Sequence, residues 1–142
     1  MDEMNDLIAK LREVSEHNPI YKFEAFSFVM GALNFALSRL DKPRHLTGQE
    51  FCQGLREFAL SQYGPLTLMV LEHWGIHRTR DFGEIVFALV DAGLMSKTQD
   101  DSVTDFNDVY DFKEVFTRPL EFDLEDLSMD WDQDTKDAGG HG

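Results

Sequence analysis

The sequence contains little cysteine and few basic residues, and each shortage excludes a class of protein. A single cysteine, Cys52, cannot form an internal disulfide, which excludes the disulfide-stapled scaffolds of small secreted domains. Lysine and arginine number 13 against 27 aspartate and glutamate residues. A field of that sign repels phosphate backbones and anionic lipid surfaces, so direct nucleic-acid binding is not expected.

Long apolar runs are missing as well. The chain begins MDEMNDL, which is acidic and amphipathic, whereas a signal peptide begins basic and continues apolar. The most apolar stretch, residues 23–40, still contains Glu24, Asn34 and Arg39, which makes it too polar to span a bilayer. We therefore expect a soluble, cytoplasmic protein that does not contact the membrane.

What the chain does have is enough apolar material for a core. Its 142 residues are 42% hydrophobic and include 12 phenylalanines, so neither metals nor disulfides are needed for folding.

The charge is distributed unevenly along the chain. Residues 1–98 carry 13 acids and 10 bases, whereas residues 99–142 carry 14 acids and 3 bases. We predict a helical domain over residues 1–117 and an acidic, mobile tail over residues 118–142.

Apolar residues recur at helical spacing through most of the predicted domain. The string TGQE has the capping-box form, with Thr47 as N-cap and Glu50 at the third helical position, and DFGE offers a similar start at Asp81. Glycines such as Gly93 supply the stops. The predicted helices cover residues 2–16, 20–40, 47–62, 65–74 and 81–92.

The helical period fades after Leu94. We predict two short strands around the acidic stretch that follows, forming a C-terminal β-hairpin. A mainly α, compact single domain of about five helices with such a hairpin is winged-helix-like over about residues 44–117. The alternative is a plain helical bundle with an irregular flap.

A set of strings between Arg44 and Phe112 carries a resemblance to known proteins. They read RHLTGQEFCQGLREFAL, YGP, WGI, DFGEIVFALVDAGL, KTQDDS and VYDF. With them, the chain resembles a family of small uncharacterised proteins restricted to planctomycetes and verrucomicrobia, which has no established activity. The resemblance implies a shared compact domain and transfers no catalytic or binding residue.

Several strings match parts of motifs that carry chemistry. DFG at residues 81–83 spells the kinase metal-binding tripeptide, but the glycine-rich loop, the strand lysine and the H-R-D loop are missing. His73 and His77 have the spacing of a zinc pair on one helix face, yet Gly75 between them predicts a helix end. His45 and Cys52 are the remaining candidate ligands, if the fold brings them close.

Two further patterns favour structural roles. Cys52, with His45 or His73 as base, has the composition of a nucleophile pair, but its place beside Phe51 predicts burial. Asp130, Asp132 and Asp134 repeat like the start of a calcium loop that lacks its glycine and its late glutamate. We therefore predict that the protein is not an enzyme and holds neither metal nor cofactor.

The residues that helix caps and core packing leave unexplained are candidates for partner binding. An acidic segment with interleaved apolar anchors is typical of docking on a basic surface, so we predict a cytoplasmic protein–protein interaction or adaptor domain with an acidic arm and a partner that is basic. An acidic winged helix associated with transcription or nucleic acid is the alternative. A second alternative is an enzyme whose site would gather Glu50, Arg56, His73 and His77. The candidate partner-binding residues are His73, Trp74, His77, Arg78, Arg80, Phe122, Leu124, Leu127 and Trp131.

Overall fold

The computed structural model of the chain describes residues 2–117, and five α-helices dominate them. Short 3-10 helices cover Gly64–Leu66 and Val103–Phe106, and a last helical stretch covers residues 112–117. The predicted mainly helical, compact class is confirmed. No helix in this range is long and apolar enough to cross a membrane. The α-helices are α1 (Asp2–His17), α2 (Phe23–Ser38), α3 (Gly48–Tyr63), α4 (Thr67–His73) and α5 (Thr79–Asp91).

Helix α2 is the centre of the fold, as its apolar residues on all sides predict. It packs against α1, α3 and α5, and it buries Phe26, Phe28 and Val29 together with three alanines. The Phe28 ring lies 5.4 Å from the Phe58 ring of α3 and 5.5 Å from the Trp74 ring that follows α4. Each such buried side chain contributes roughly 1.5–3 kcal/mol relative to its exposed state.

Helix α2 begins at Phe23, three residues later than predicted. Residues 18–22 form a turn instead, because their polar groups bond to other elements. The backbone N–H of Lys22 donates to the carbonyl of Trp74 at 3.1 Å, and the hydroxyl of Tyr21 donates to Asp81 Oδ1 at 2.6 Å. These long-range bonds outweigh the local tendency of Pro19 to open a helix.

The predicted capping box at the start of α3 is confirmed. Thr47 Oγ1 accepts from the backbone N–H of Glu50 at 3.1 Å, and Glu50 Oε1 accepts from the backbone N–H of Thr47 at 2.9 Å. The Arg44 guanidinium adds two donors, one to each carboxylate oxygen, both at 3.0 Å. The Arg44 hydrogen bonds, followed by that from Thr47, lower the pKa of Glu50 to about 2.

Asp81 caps α5 from the third helical position and not from the N-cap, so the predicted start is two residues late. The helix begins at Thr79, and Asp81 Oδ2 accepts from the backbone N–H groups of His77 at 2.8 Å and Arg78 at 3.2 Å. One carboxylate thus satisfies two donors that precede the helix, and its other oxygen accepts from Tyr21.

The predicted β-hairpin is not present, since residues 94–111 contain no strand. We call this segment the flap. Its side-chain oxygens accept from nearby backbone N–H groups: Asp101 from Thr98 at 2.8 Å, and Asp105 from Ser102 at 3.0 Å. Such local bonds compete with a strand ladder. Residues 2–117 therefore lack the wing of a winged helix and correspond to the alternative, a helical bundle with an irregular flap.

Phe106 fastens the flap to the bundle. Its ring lies in a notch where α3 and α5 each present a glycine, Gly48 and Gly83, and it is only 4% exposed. A Cβ on Gly83 would lie 2.8 Å from Phe106 Cβ and Cγ, closer than real Cβ contacts come. The buried hydroxyl of Thr79 also donates to the Phe106 carbonyl at 2.6 Å and accepts from the Val109 N–H at 3.1 Å.

The notch predicts that Gly83→Ala destabilises the domain although alanine favours helices. The added Cβ collides with Phe106, and overpacking of this kind costs about 1–3 kcal/mol. Gly31→Ala is the matched control, because its Cβ would lie 3.4 Å from Phe58 Cζ, an ordinary contact. In urea unfolding, the free energy of unfolding of Gly83→Ala should be lower than that of the wild type, and that of Gly31→Ala should equal or exceed it. Equal free energies of unfolding for the two variants would contradict the proposed tight packing of Phe106 against Gly83.

The lowered pKa of Glu50 predicts an acid-dependent contribution to stability. The folded pKa of about 2 lies below the ordinary value of 4.5, so the contribution is complete above pH 4.5 and is lost as the pH falls towards 2. The free energy of unfolding of E50Q should therefore lie below that of the wild type at pH 6, and the gap should close towards pH 2. Glu57→Gln is the control, since Arg39 lies 3.7 Å from that carboxylate; a gap for E50Q that does not change with pH would contradict the prediction.

Candidate interaction surface

Trp74, one of the predicted partner-binding residues, lies in the core. It is 9% exposed, and its ring packs 5.5 Å from Phe28 and edge-on 5.6 Å from Tyr63. Its position at the C-cap of α4 turns the ring inward against α2 and α3. In the described structure Trp74 therefore contributes packing and offers no surface to a partner.

His73 and His77 do not share a helix face. Helix α4 ends at His73, and the chain then turns at Gly75, whose φ is +92°. A Cβ at Gly75 would come within 2.4 Å of the Ile20 carbonyl oxygen, so this turn requires glycine for two reasons. Both histidines are exposed, and residues 2–117 contain no group of three or more His, Cys, Asp or Glu side chains placed to hold a metal.

Arg80 is engaged within the fold. Its Nε donates to Glu84 Oε2 at 2.8 Å, one turn along α5, and its Nη1 donates to Asn107 Oδ1 at 3.0 Å. The second bond links α5 to the flap. Arg80 therefore helps to hold the flap in place.

Arg78 is different from Arg80. It is the exposed N-cap residue of α5, and its guanidinium forms no ion pair with any described residue. It borders two surface hollows that also contain carboxylates, one lined by residues 17–21 with part of α5, and the other by Leu68 and Glu72 of α4 with residues 108 and 110–113. A cation at the meeting point of two hollows can reach a carboxylate on a bound chain from either side.

Two large apolar side chains of the α4 region are exposed. Leu66 is 53% exposed and Met69, one turn further, is 66% exposed, while Leu71 on the inner side is fully buried. Ile20, whose carbonyl lies against Gly75, is 77% exposed. We define the α4 surface as Leu66, Met69 and His73 of the α4 region with Ile20, His77 and Arg78.

The remaining sequence candidates do not line a common hollow in the described residues. Cys52 is fully buried and burial raises the pKa of its thiol to about 12, so a nucleophilic thiolate is disfavoured. His45 lies elsewhere, with Nε2 2.6 Å from Asp101 Oδ2. The hollows beside His45, Arg78 and α4 contain at most one member of the proposed enzyme set, Glu50, Arg56, His73 and His77.

Part of the predicted binding set lies outside the described residues. This holds for the tail anchors and for the three aspartates of the calcium-like repeat. The residues concerned are Phe122, Leu124, Leu127, Asp130, Trp131, Asp132 and Asp134.

Comparison with protein families, with curated proteins and with solved structures gave no match to the chain. The resemblance to the planctomycete and verrucomicrobial family stays a prediction. The assignment of function therefore depends on the surface alone.

The contrast between Trp74 and Arg78 predicts opposite effects on stability. Trp74→Ala removes a buried ring from between Phe28 and Tyr63 and should lower the free energy of unfolding by about 3–5 kcal/mol. Arg78→Ala removes an exposed side chain and should stay within about 0.5 kcal/mol of the wild type. Denaturant unfolding with matched slopes measures both, and a small loss for Trp74→Ala would place that ring outside the core.

Proposed function

We propose that this chain is a cytoplasmic protein–protein interaction domain that acts as an adaptor and docks a partner on the α4 surface. The observation that carries the proposal is the exposure of Leu66 and Met69, one helical turn apart at α4, together with that of Arg78 at the start of α5. Methionine and arginine are enriched at protein interfaces, and arginine is also enriched among the residues that contribute most to binding energy.

The apolar part of the surface supplies the driving force. Burying a Leu or Met side chain contributes about 1.5–3 kcal/mol each, before the cost of association is subtracted. Methionine is flexible and polarisable, so Met69 can fit partner side chains of different shapes. Leu66, Met69 and Ile20 therefore suit a partner that presents a short apolar ridge.

The charged part of the surface selects the partner. Arg78 favours a partner segment with a carboxylate beside the apolar ridge. The acidic tail, residues 118–142, carries charge of the opposite sign and is proposed as a second contact for a basic region of a partner. The proposed role is not enzymatic and requires neither metal nor cofactor.

DNA reading is not part of the proposal. In a winged helix, α5 would be the helix that enters the major groove, and it exposes the carboxylates of Glu84 and Asp91. Carboxylates on that face oppose the phosphate backbone.

Site-specific photocrosslinking of the full chain in cells that naturally express it tests the docking face. A photoreactive phenylalanine analogue replaces Met69 in one variant, the exposed His77 in a second and the exposed Lys10 of α1 in a third. We expect the same partner to be captured from positions 69 and 77 and not from position 10. Adding Arg78→Glu to the Met69 variant should abolish capture, because it reverses the charge that selects the partner.

The matched charge reversal, Lys10→Glu in the Met69 variant, should leave capture intact. Equal capture from all three positions would indicate non-specific contact and would overturn the assignment of this face. Capture that survives Arg78→Glu would remove Arg78 from the interaction.

A further inference from the structure

A cavity of about 360 Å³ lies on another part of the molecule, between α2, α3, α5 and the flap. The α4 surface contributes no residue to it. Its apolar lining comes from all four elements, so it exists only in the assembled fold. The apolar lining residues include Leu33, Phe51, Val86, Phe87, Met95 and Phe106.

The volume suits a small organic molecule. Ligand sites in proteins span roughly 300–1,000 Å³, and an apolar cavity of about 150 Å³ is enough for benzene. The cavity therefore accepts an apolar body about twice the size of one aromatic ring. Leu37 of α2 lines it and is 39% exposed, so part of the apolar wall is open to solvent.

Charged groups on the rim of the cavity determine which sign of charge a ligand can carry at its solvent-facing end. Three basic side chains line the cavity, and two of them are engaged: Arg44 bonds to both oxygens of Glu50, and His45 bonds to Asp101. Lys97 Nζ donates only to the Thr98 carbonyl at 3.3 Å among the described residues. Lys97 is thus the cation on the rim that can still donate hydrogen bonds to a ligand.

The carboxylates on the rim are already occupied. Asp101 accepts from the Thr98 N–H and from His45, and Asp105 accepts from the Ser102 N–H. Burial opposes ionisation of Asp101, but the bonds from Thr98 and His45 prevail and lower its pKa. The contact between His45 and Asp101 also joins the start of α3 to the flap across the rim, which pre-organises the opening.

We propose that this cavity binds a small amphipathic monocarboxylate, with its apolar body on Phe51, Val86 and Phe106 and its carboxylate at Lys97. An apolar floor with one available cation at the mouth is complementary to this class of molecule. A dication or a neutral polar molecule would leave the floor unused, and a large lipid would exceed the volume. The proposal does not depend on the docking role of the α4 surface.

Isothermal titration calorimetry on the full chain tests the proposal with two carboxylates whose apolar parts differ. Octanoate represents a hydrocarbon chain and 2-naphthoate a two-ring aromatic, so the comparison identifies the source of the apolar body. 1-Octanol is the uncharged match of octanoate. We expect saturable binding of at least one carboxylate and about fivefold weaker binding of 1-octanol than of octanoate, the effect of one exposed charge pair of about 1 kcal/mol.

Three variants locate the site. Lys97→Gln should weaken octanoate about fivefold and leave 1-octanol unchanged, whereas Lys113→Gln, an exposed lysine outside the cavity, should change neither. Met95→Trp fills the cavity from the flap and should weaken both at least tenfold. Leu37→Phe fills it from α2 and replaces Met95→Trp if circular dichroism shows that variant unfolded.

Three results would overturn the proposal. Absence of saturable binding by both carboxylates removes the site, and undiminished affinity in the folded filling variants places binding elsewhere. Equal affinity for octanoate and 1-octanol overturns the assignment of an anionic ligand.

Discussion

The packing of the Phe106 ring between Gly48 and Gly83 is the contact on which the rest of the described fold depends. The flap has no strand ladder and only one short 3-10 turn, so its own backbone bonds cannot hold it against the bundle. The Phe106 ring can pack against the backbones of α3 and α5 because Gly48 and Gly83 lack a Cβ. The buried hydroxyl of Thr79 on α5 also donates a hydrogen bond to the Phe106 carbonyl. Because Phe106 also lines the cavity, the contact that fixes the flap forms a wall of the proposed ligand site.

The acidic residues of the flap act mainly as local caps, which limits what their charge can do. Asp101 and Asp105 each accept from a backbone N–H three residues before them, and Asp81 does the same at the start of α5. A carboxylate used in this way is not free to assemble a metal site. The two proposed recognition surfaces use cations instead, Arg78 beside α4 and Lys97 at the cavity rim.

Sequence reasoning succeeded where the signal is local. The five helices and the Thr47 capping box follow from residue spacing and cap chemistry within a few positions. It placed the start of α2 too early, because Tyr21 and Lys22 bond to residues more than fifty positions away, and the start of α5 too late, because Asp81 caps that helix from its third position. The predicted hairpin was wrong because aspartate side chains in the flap accept hydrogen bonds from backbone N–H groups that would otherwise pair with a neighbouring strand. Of the candidate site, Arg78, His73 and His77 were proposed from the sequence, whereas Leu66 and Met69 were not singled out, because the apolar pattern of so short a helix does not show which side faces solvent.

The sequence by itself determined the helical class, the central position of α2 and the places where helices end, since hydrophobic period and glycine stops act over one or two turns. Only the tertiary structure decided which apolar side chains are inside. Trp74 and Met69 lie at the end and in the middle of the same short helix region, yet one is core and the other surface, because α4 has only one face against the bundle. The cavity likewise belongs to no segment: it is the space left where α2, α3, α5 and the flap meet, and no local pattern specifies it.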